Sequence, residues 1–548
     1  MLLVPGLSML ATLALGAIAV VAQDVQQRQP NIVFIMTDDQ DEQLGSLDYM
    51  PYVQKHFVKE GTYYRKHFCT IAICCPSRVS LLTGQAAHNT NVTYVTPPHG
   101  GYPKFVSQGY NEKYLPVWLQ DAGYNTYYTG KLFNAHNTDN WNNPFPKGWT
   151  GSDFLLDPNT YLYLNATFQR NQSPPQTFPG EYSNDLVAER ALGFLDDALR
   201  FNGSKPFFLG VAPIGPHNNG LGGETSPGAT PPIPAKRHEN LFANVTVPRT
   251  YNFNPEKLNA TEVAYGDNYY RRRLQTLQSV DEMVDAVINR LDQAGVLENT
   301  YVIFTSDNGF HIGQHRLKPG KMCAIEEDIN VPFLIRGPGV PKGKTVDFDF
   351  DGSPIPFSEE GIVKAQNDPK HDHVNVEFWG TQRGYDAFGG VAANNTYKAM
   401  RVLGDGYSLF YSVWCSNERE FYDMNKDPGQ MVNLAGRASG QLLERPLSVV
   451  QDRLDALLLV LKGCKAETCR LPWKHIHPEG GVENLRDALD VKYDDFYAGQ
   501  PKISFSDCKD FYDISAEGAQ DTLIFYDPRY AATEILQDTG SSVLFDEL

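Results

Sequence analysis

The 548-residue sequence predicts an α/β fold with a large mixed, mostly parallel central sheet and a smaller C-terminal domain. Several short apolar runs end in polar, glycine-rich turns, as the buried strands of a parallel sheet do. Amphipathic helical patterns lie between these runs, and such alternation is typical of α/β sandwiches. After about residue 400 the pattern changes to the alternating polarity of antiparallel strands.

Five apolar runs predict strands of the central sheet. They are NIVFIM before Thr37, NTYYTG before Lys131, PFFLGVA before Pro213, TYVIFTS before Asp307 and PFLIRG before Pro338. In open α/β sheets, functional sites form at the carboxyl ends of the strands. Because polar pairs follow two of these strands, at Asp38-Asp39 and Asp307-Asn308, we expect both pairs to lie at that edge.

Two amphipathic stretches predict long helices that pack on this sheet. The first is capped by Ser183 and has an apolar face of Val187, Ala191, Phe194, Leu195 and Ala198. The second is closed by Gly295 and has an apolar face of Leu277, Val280, Val284, Val287, Ile288 and Leu291.

The predicted organisation has four parts. Residues 1–22 form a signal peptide, residues 23–395 the large N-terminal domain, and residues 396–464 a smaller α+β domain with an antiparallel sheet. Within the smaller domain, YKAMRVLGDGYSLFYSV and REFYDMNKDP predict antiparallel strands, and a helix is expected near residues 440–462. Residues 465–548 form an acidic, aromatic extension to which the sequence assigns no structure.

The charge balance limits the class of partner. The formal net charge is -18 and the sequence pI is about 5.2, which argues against nucleic acid or an anionic membrane as the main partner. A small anionic substrate remains compatible with this charge, because a few local cations can outweigh the global field.

The two ends of the sequence predict the secretory pathway. Residues 1–22, MLLVPGLSMLATLALGAIAVVA, are expected to be a cleaved signal that leaves no stable membrane anchor, and an N-terminal anchor is the alternative. The terminal LFDEL resembles an ER-retrieval signal, and a chance acidic tail is the alternative. We therefore expect secretion, or retention in the ER through FDEL. Seven sequons predict glycosylation, at Asn91, Asn165, Asn171, Asn202, Asn244, Asn259 and Asn394.

The eight cysteines include an adjacent pair, Cys74-Cys75, just before a Pro-Ser-Arg run. Neighbouring cysteines rarely bond to each other because the ring they close is strained, so a disulfide needs a distant partner for each. A metal site needs further ligands at regular spacing, and none follow. A third interpretation is that one cysteine is the precursor of a different chemical group. Cys464 and Cys469 are close enough for a small disulfide loop, but the pairing stays open.

The two polar pairs at strand ends predict a metal site. They provide four oxygen ligands for one Ca²⁺ or Mg²⁺, although each pair alone is also a common solvated turn. Cationic side chains at or near strand ends predict an adjoining anion pocket that neutralises an oxyanion ester. They are Arg78, Lys131, His217 and Lys321. His311 and His315 lack a third ligand for zinc and are expected to be loop residues near the site.

Residues 74–84, CCPSRVSLLTG, match the type I sulfatase signature C-x-P-S-R-x-x-x-L-T-G. GYNTYYTGK resembles the family's second signature, and TSDNG, Lys321, VPFLIRGPG and FYDMNKDPGQMVNLA follow in the family's order. The similarity runs from about residue 30 to about 435 and is closest to fungal arylsulfatases and the N-acetylglucosamine-6-sulfatase branch. Because the signature is highly specific, the chain is identified as a member of the formylglycine-dependent sulfatase family.

This resemblance implies an alkaline-phosphatase-like fold and an enzyme that hydrolyses aryl or sugar sulfates to the alcohol and inorganic sulfate. It implies that formylglycine-generating enzyme oxidises Cys74 to Cα-formylglycine (3-oxoalanine), with one Ca²⁺ per subunit as the metal. One hydroxyl of the aldehyde hydrate would attack sulfur, and the other would expel sulfate by C–O cleavage.

Carried over by motif, the implied roles fall on nine residues. The ligands of Ca²⁺ would be Asp38, Asp39, Asp307, Asn308 and the modified Cys74. Arg78 would hold the hydrate, and Lys131 and Lys321 would bind sulfate oxygens. His217 would protonate the leaving oxygen or share that task with Lys321.

The sequence departs from the family pattern at two places. Phe133 stands where many sulfatases have His, a residue that the glucosamine-sulfatase branch also lacks. A stretch that relatives carry is missing between residues 340 and 352, either as a tolerated deletion or through an error of gene prediction. Two alternatives to an active sulfatase stay open: a metal-dependent phosphate or phosphonate hydrolase on the same fold, and an inactive pseudo-sulfatase glycoprotein.

Overall fold

A computed structural model describes residues 29–200, 205–221, 229–253, 258–347, 355–366, 372–383, 391–392 and 394–525. The predicted signal peptide, the sequon at Asn202, the terminal FDEL and part of the segment between residues 340 and 352 lie outside the described residues. Within the described ranges, the helices are all too short or too polar to cross a bilayer.

A ten-stranded mixed sheet forms the centre of the fold. Its strands are β1 Asn31–Thr37, β2 Thr62–Tyr64, β3 Asn125–Gly130, β4 Gly151–Leu155, β5 Thr167–Arg170, β6 Gln176–Thr177, β7 Phe207–Ala212, β8 Thr300–Ser306, β9 Phe333–Arg336 and β10 Lys344–Val346. Their order across the sheet is β10-β2-β9-β8-β1-β7-β3-β4-β5-β6. The five neighbours β8, β1, β7, β3 and β4 are parallel, while β9 runs antiparallel to β8. The predicted mixed, mostly parallel sheet is therefore confirmed.

Nine helices of the described residues support the core, the site or the smaller sheet. They are α1 Cys74–Thr83, α2 Ala87–Thr90, α3 Gly101–Ser107, α4 Leu115–Asp121, α5 Ser183–Leu199, α6 Ala260–Gln293, α7 Glu326–Ile329, α8 Glu359–Gln366 and α9 Leu447–Leu461. Shorter helical segments are Ser46–Tyr49, Pro51–Val53, Gln54–Val58, Tyr110–Glu112, Lys236–His238, Leu297–Asn299, Glu467–Arg470, Pro472–Ile476, Leu485–Ala488, Val491–Tyr493, Asp494–Ala498 and Ile514–Ala516.

Helices α5 and α6 pack on one face of the sheet through the predicted apolar residues, which share a buried cluster with Val33 and Ile35 of β1. The predicted cap of α5 is wrong. Tyr182 occupies the N-cap, and Ser183 is a buried first residue of the helix. Gly295 does follow α6, with a φ of 66° that suits glycine at a helix end.

A four-stranded antiparallel sheet forms the smaller unit, with β11 His373–Phe378, β12 Tyr397–Gly404, β13 Tyr407–Trp414 and β14 Arg419–Asp423 in this order. Two short hairpins accompany it, Gln382–Arg383 with Val391–Ala392 and Gln441–Leu442 with Arg445–Pro446. The second hairpin precedes α9, so the helix expected near residues 440–462 begins only at residue 447. Strand β11 belongs to the smaller sheet but lies before the domain boundary predicted at 395/396. The predicted domain limits therefore stay predictions.

Residues 465–525, to which the sequence assigned no structure, pack against this smaller sheet. Trp473, Tyr497 and Ile503 share a buried apolar cluster with leucines of α9. Two disulfides fasten the segment, Cys464–Cys469 and Cys415–Cys508. The first pair is the one that sequence proximity allowed, whereas the second joins residues 93 positions apart. The other four cysteines, Cys69, Cys74, Cys75 and Cys323, are all buried and form no disulfide among the described residues.

Candidate active site

The carboxyl edge of the central sheet brings together all nine predicted site residues. Asp307 follows β8, Asp38 follows β1, Lys131 follows β3, and His217 lies in the loop after β7. Since β8, β1, β7 and β3 are neighbours in this order, their ends place two carboxylates, an imidazole and an ammonium side by side. Strands β1 and β8 end in register, with Thr37 opposite Ser306, so the residues that follow leave the sheet together.

Helix α1 brings Cys74 and Arg78 to this edge. Cys74 is its first residue, and Arg78 lies one turn later on the same face. The Cys74 Sγ atom is 3.3 Å from Asp38 Oδ1 and 3.9 Å from Asp39 Oδ1. Arg78 Nε donates to Asp307 Oδ2 at 2.8 Å, and Arg78 Nη2 lies 3.4 Å from Asp38 Oδ2. Arg78 therefore bridges the carboxylates that follow β1 and β8.

Two lysines reach the cluster from separate loops. Lys131 Nζ lies 2.6 Å from Asp38 Oδ2. Lys321 Nζ lies 2.5 Å from Asp39 Oδ1 and 2.8 Å from Cys74 Sγ. Both ammonium groups are fully buried. The Cys74 side chain thus lies between carboxylates and an ammonium group, at the N-terminus of a helix whose dipole favours negative charge.

His217 faces the same carboxylates. Its Nε2 atom is 3.7 Å from Asp39 Oδ2, and its Nδ1 atom is 2.9 Å from the backbone oxygen of Asn218. Because a carbonyl oxygen only accepts, Nδ1 is the donor in this contact, and Nε2 is the nitrogen that faces the Asp39 carboxylate. The ring stacks on Tyr161, with centroids 4.1 Å apart.

The opposite charges shift the pKa values of the cluster. Burial alone would raise the pKa of Asp38, but Lys131, His217 and Arg78 outweigh it and hold that pKa below its ordinary value. Burial alone would lower the pKa values of Arg78 and Lys131. Asp307 and Asp38 raise the pKa of Arg78 above its ordinary value, and Asp38 does the same for Lys131. Asp38, Arg78 and Lys131 are therefore charged at neutral pH.

The atoms around Asp39 fit a hard divalent cation. Asp38, Asp39, Cys74 and His217 each present a possible ligand atom, and these atoms lie within 4.8 Å of one another. Asp39 Oδ2 is buried and accepts no hydrogen bond in the described part of the chain. Such an oxygen costs free energy unless a cation or a donor compensates it. A metal ion bound by carboxylates would do so.

Asp307 and Asn308 contribute differently to this oxygen set. The Asn308 Oδ1 atom lies 3.4 Å from Lys321 Nζ and faces the cluster. Both Asp307 oxygens already accept hydrogen bonds, Oδ1 from the backbone N–H groups of Asp39 and Asn308 and Oδ2 from Arg78. Asp307 therefore orients the two loops and has only its remaining lone pairs for a metal.

The loop that carries Lys321 is held by Asp328, a residue of α7 for which the sequence gave no signal. Asp328 Oδ1 lies 2.7 Å from His311 Nδ1, and Asp328 Oδ2 accepts from the backbone N–H of Cys323 at 2.8 Å. The backbone of His311 pairs with Gly320. Since Lys321 lies between Gly320 and Cys323, Asp328 fixes the chain on both sides of it.

In the described part of the chain, neither Phe133 nor His315 makes a hydrogen bond or ion pair with the cluster. Phe133 is buried in the apolar core with Phe105 and Tyr102, so it provides no polar group to the cluster. His315 donates its backbone N–H to the oxygen of Asn252, as a loop residue would.

Comparison with known proteins establishes the family. The family model described as Sulfatase matches residues 30–376. An arylsulfatase from Volvox carteri is 38% identical over 92% of this chain and 85% of its own. An N-acetylglucosamine-6-sulfatase from Homo sapiens is 28% identical over 83% of this chain and 89% of its own.

A solved structure gives the corresponding likeness of fold. It shows a protein in complex with its substrate D-glucosamine-2-N,6-O-disulfate, with a TM-score of 0.58, 21% identity, and coverage of 75% of this chain and 94% of that one. The fold and the site define an α/β protein with a buried charged site at the carboxyl edge of its sheet. The chain belongs to the sulfatase family, enzymes that hydrolyse sulfate esters. The prediction of family and of enzyme class is confirmed.

Proposed function

We propose that this sulfatase hydrolyses an aryl or sugar sulfate through a covalent sulfated formylglycine hydrate formed at residue 74. The observation that carries the proposal is the surroundings of Cys74, whose Sγ contacts Asp38, Asp39 and Lys321. The sulfur occupies the place that the oxygens of formylglycine would take. We propose that formylglycine-generating enzyme makes this group during maturation.

The aldehyde hydrate suits the reaction because it has two hydroxyl groups on one carbon. One would lose its proton and attack the sulfur of the ester, and the S–O bond to the alcohol would break as the leaving oxygen gains a proton. The other hydroxyl would then lose its proton and the C–O bond to sulfate would break. The aldehyde would return and add water to restore the hydrate. A serine or a thiol has no second hydroxyl and would stay sulfated.

The side chains of this enzyme would act on both halves of the ester. Lys131 and Lys321 would bind sulfate oxygens, and Arg78 would hold the hydrate against α1. His217 would protonate the leaving oxygen through Nε2, because its Nδ1 proton is held by the Asn218 carbonyl.

We propose Ca²⁺ as the metal, held by Asp38, Asp39 and Asn308, with Asp307 and the modified Cys74 as further ligands. When bound, it would polarise the sulfate oxygens as a Lewis acid. The charge balance supports this. Three carboxylates face three cationic side chains: Asp38, Asp39 and Asp307 against Arg78, Lys131 and Lys321. A divalent cation would leave two positive charges, which match a sulfate monoester and an ionised nucleophile.

The test compares substrates side by side. Enzyme from a eukaryotic secretory host, with Cys74→Ala as the control, is assayed on 4-nitrophenyl sulfate, 4-nitrophenyl phosphate and glucosamine 6-sulfate. We expect sulfate turnover to dominate and to vanish in the control. Dominant phosphate turnover would favour the phosphate or phosphonate hydrolase. No turnover of any ester by a chain with converted Cys74 would favour the inactive pseudo-sulfatase.

We also propose that the chain matures in the secretory pathway and is secreted or held in the ER through FDEL. The two disulfides support an oxidising compartment. Of the described sequon asparagines, Asn165 is half-buried and the others are exposed: Asn91, Asn171, Asn244, Asn259 and Asn394. Tagged protein with and without its last four residues tests retention. Secretion only of the shortened chain is expected if FDEL is read, whereas secretion of both chains would reject it.

A further inference from the structure

We propose that Tyr161 is a positioning residue that holds Lys131 and His217 against the sulfate ester. The inference rests on the proposed function, because it concerns the two residues assigned there to the sulfate oxygens and to the leaving oxygen. Tyr161 lies in the loop between β4 and β5, outside every signature that the sequence contains.

The Tyr161 ring contacts both residues. It lies nearly parallel to the His217 ring, with centroids 4.1 Å apart and an interplanar angle of 23°. Lys131 Nζ lies 4.7 Å from the centroid of the same ring. Tyr161 is fully buried, so water does not compete for either contact. One aromatic ring therefore connects the residues that follow β3 and β7.

The Tyr161 ring is itself anchored at both ends. Its hydroxyl oxygen accepts a hydrogen bond from Asn134 Nδ2 at 2.7 Å, three residues beyond Lys131 in the same loop. Its backbone oxygen accepts from the N–H of Gly220 at 3.3 Å, in the loop that carries His217. Tyr161 thus bonds the β3 loop through its hydroxyl group and the β7 loop through its backbone oxygen.

Tyr163 strengthens the same clamp from two residues further along. Its hydroxyl donates to the backbone oxygen of His217 at 2.7 Å, and its backbone N–H donates to Asn219 Oδ1 at 3.3 Å. Tyr161 therefore restrains the His217 ring while Tyr163 restrains the His217 backbone. A histidine that needs only to fill space does not require both.

An aromatic ring suits this position because it leaves the positive charge of Lys131 and the Nε2 atom of His217 available to the substrate. The face of an aromatic ring attracts an ammonium group without adding a negative charge that would neutralise it. A second carboxylate there, besides Asp38, would instead neutralise charge that the sulfate oxygens need. Stacking also limits rotation of the imidazole about its χ2 angle, so that Nε2 keeps its direction towards the reacting atoms.

The test separates positioning from packing by varying the leaving group. Tyr161→Leu and Tyr161→Met remove the ring, and Tyr161→Phe keeps it but loses the Asn134 bond. We expect the Leu and Met variants to lose about tenfold more kcat on a methoxyphenyl sulfate than on 4-nitrophenyl sulfate, because a more basic leaving oxygen needs its proton more. The Phe variant should remain within about threefold of wild type on both, since it keeps the ring that positions the two side chains.

Tyr114→Leu is the matched control. Tyr114 is also fully buried, and it packs edge-on against Phe105 in the apolar core, with centroids 5.2 Å apart. Its loss should lower stability and leave the ratio of the two substrates unchanged.

The outcomes distinguish this inference from the proposed function. A wild-type enzyme with converted Cys74 that cleaves no sulfate ester would overturn the proposed function, and this inference with it. In an active wild-type enzyme, equal losses on both substrates in Tyr161→Leu, or a Phe variant as impaired as Leu, would overturn this inference alone. Failure of both the Leu and Met variants to fold would assign the ring to stability and would also overturn it.

Discussion

Two clusters of buried charge lie at the two ends of residues 74–90, and they are built differently. The catalytic cluster surrounds Cys74 at the start of α1. The junction cluster consists of His88, Glu377, Lys398 and Glu517, and it joins α2 to the smaller sheet and the C-terminal extension.

In the junction cluster, donors from the protein satisfy both oxygens of the central carboxylate. Glu377 Oε1 accepts from the backbone N–H of His88 at 2.9 Å, and Glu377 Oε2 accepts from Lys398 Nζ at 2.7 Å. The His88 ring bonds the same carboxylate through Nδ1 and the backbone oxygen of Cys464 through Nε2. Lys398 Nζ also lies 4.3 Å from the Trp379 ring centroid. The central carboxylate of this cluster is therefore satisfied within the protein, whereas Glu517 Oε2, 3.7 Å from Lys398 Nζ, accepts no hydrogen bond among the described residues.

The proposed catalytic cluster is equally buried, but the carboxylate of Asp39 is not satisfied in this way. Asp39 Oδ2 accepts no hydrogen bond among the described residues, and Cys74, the proposed nucleophile precursor, lies 3.9 Å from Oδ1 of the same carboxylate. The comparison shows that buried charge alone does not mark an active site. What distinguishes the proposed active site is that its carboxylate with an unbonded oxygen contacts Cys74, a side chain that can react. Four experiments test this difference, beginning with the loss of the proposed nucleophile.

Cys74→Ser should abolish catalysis and leave the junction cluster intact. Serine has no second hydroxyl to release sulfate, so kcat/KM on 4-nitrophenyl sulfate should fall by about 10⁴-fold or more. The melting temperature should stay close to that of wild type, because the thiol makes no contact that a hydroxyl cannot make. Substantial activity in this variant would show that the nucleophile lies elsewhere.

Removing one buried lysine should lower kcat/KM in the catalytic cluster and the free energy of unfolding in the junction cluster. Lys131→Met should lower kcat/KM by about 10²- to 10³-fold, because it removes a charge that faces the sulfate. Lys398→Met should keep the activity of the folded enzyme but lower the free energy of unfolding by about 3–5 kcal/mol, because it leaves Glu377 short of its partner. Kinetics and urea denaturation on both variants measure this. The comparison fails if Lys398→Met loses activity as Lys131→Met does.

Metal removal should affect only the catalytic cluster. Dialysis against EGTA should abolish activity, and Ca²⁺ should restore it and raise the free energy of unfolding by about 2.7 kcal/mol at a hundredfold excess over its Kd. Asp39→Asn should lose the calcium response, and Glu377→Gln should retain it. Full activity in a metal-free preparation would contradict the assignment of the oxygen set.

The junction cluster should lose part of its stabilising effect in acid. Burial alone would raise the pKa of Glu377, but His88 and Lys398 outweigh it and lower that pKa to about 2. Because the folded-state value is below the ordinary one, the stability that Glu377 contributes is present above about pH 4.5 and is lost as the pH falls towards about 2.

Urea denaturation of wild type and Glu377→Gln at pH 7, 4.5 and 3 measures this contribution. The advantage of wild type should be greatest at pH 7 and should shrink below about pH 4.5. A difference that stays constant over this range would show that Glu377 acts through shape rather than charge.

Much of the catalytic cluster could be predicted from the sequence. Its residues follow strands or open α1, so strand patterns and the family signature locate them without knowledge of the loops. Asp328 and Tyr161 could not be found in this way, because each acts through contacts between loops whose approach only the folded chain determines. The Cys415–Cys508 disulfide was unpredictable for the same reason.

Local signals failed where neighbouring residues competed for the same position. Ser183 resembled a helix cap, but Tyr182 takes the N-cap and the serine is buried in the first turn. The α9 helix begins later than its apolar pattern because a short hairpin precedes it. In the extension, Trp473 and Tyr497 pack against α9 without any periodic pattern, so the sequence gave no element there.

The mass of the tryptic peptide HFCTIAICCPSR, residues 67–78, from enzyme made in a eukaryotic secretory host tests the central claim most directly. We predict the mass of an aldehyde or its hydrate at Cys74, with Cys75 unchanged, and a fraction converted that rises with specific sulfatase activity. An unmodified thiol at Cys74 in an active preparation would contradict the account, because the nucleophile would then be another group.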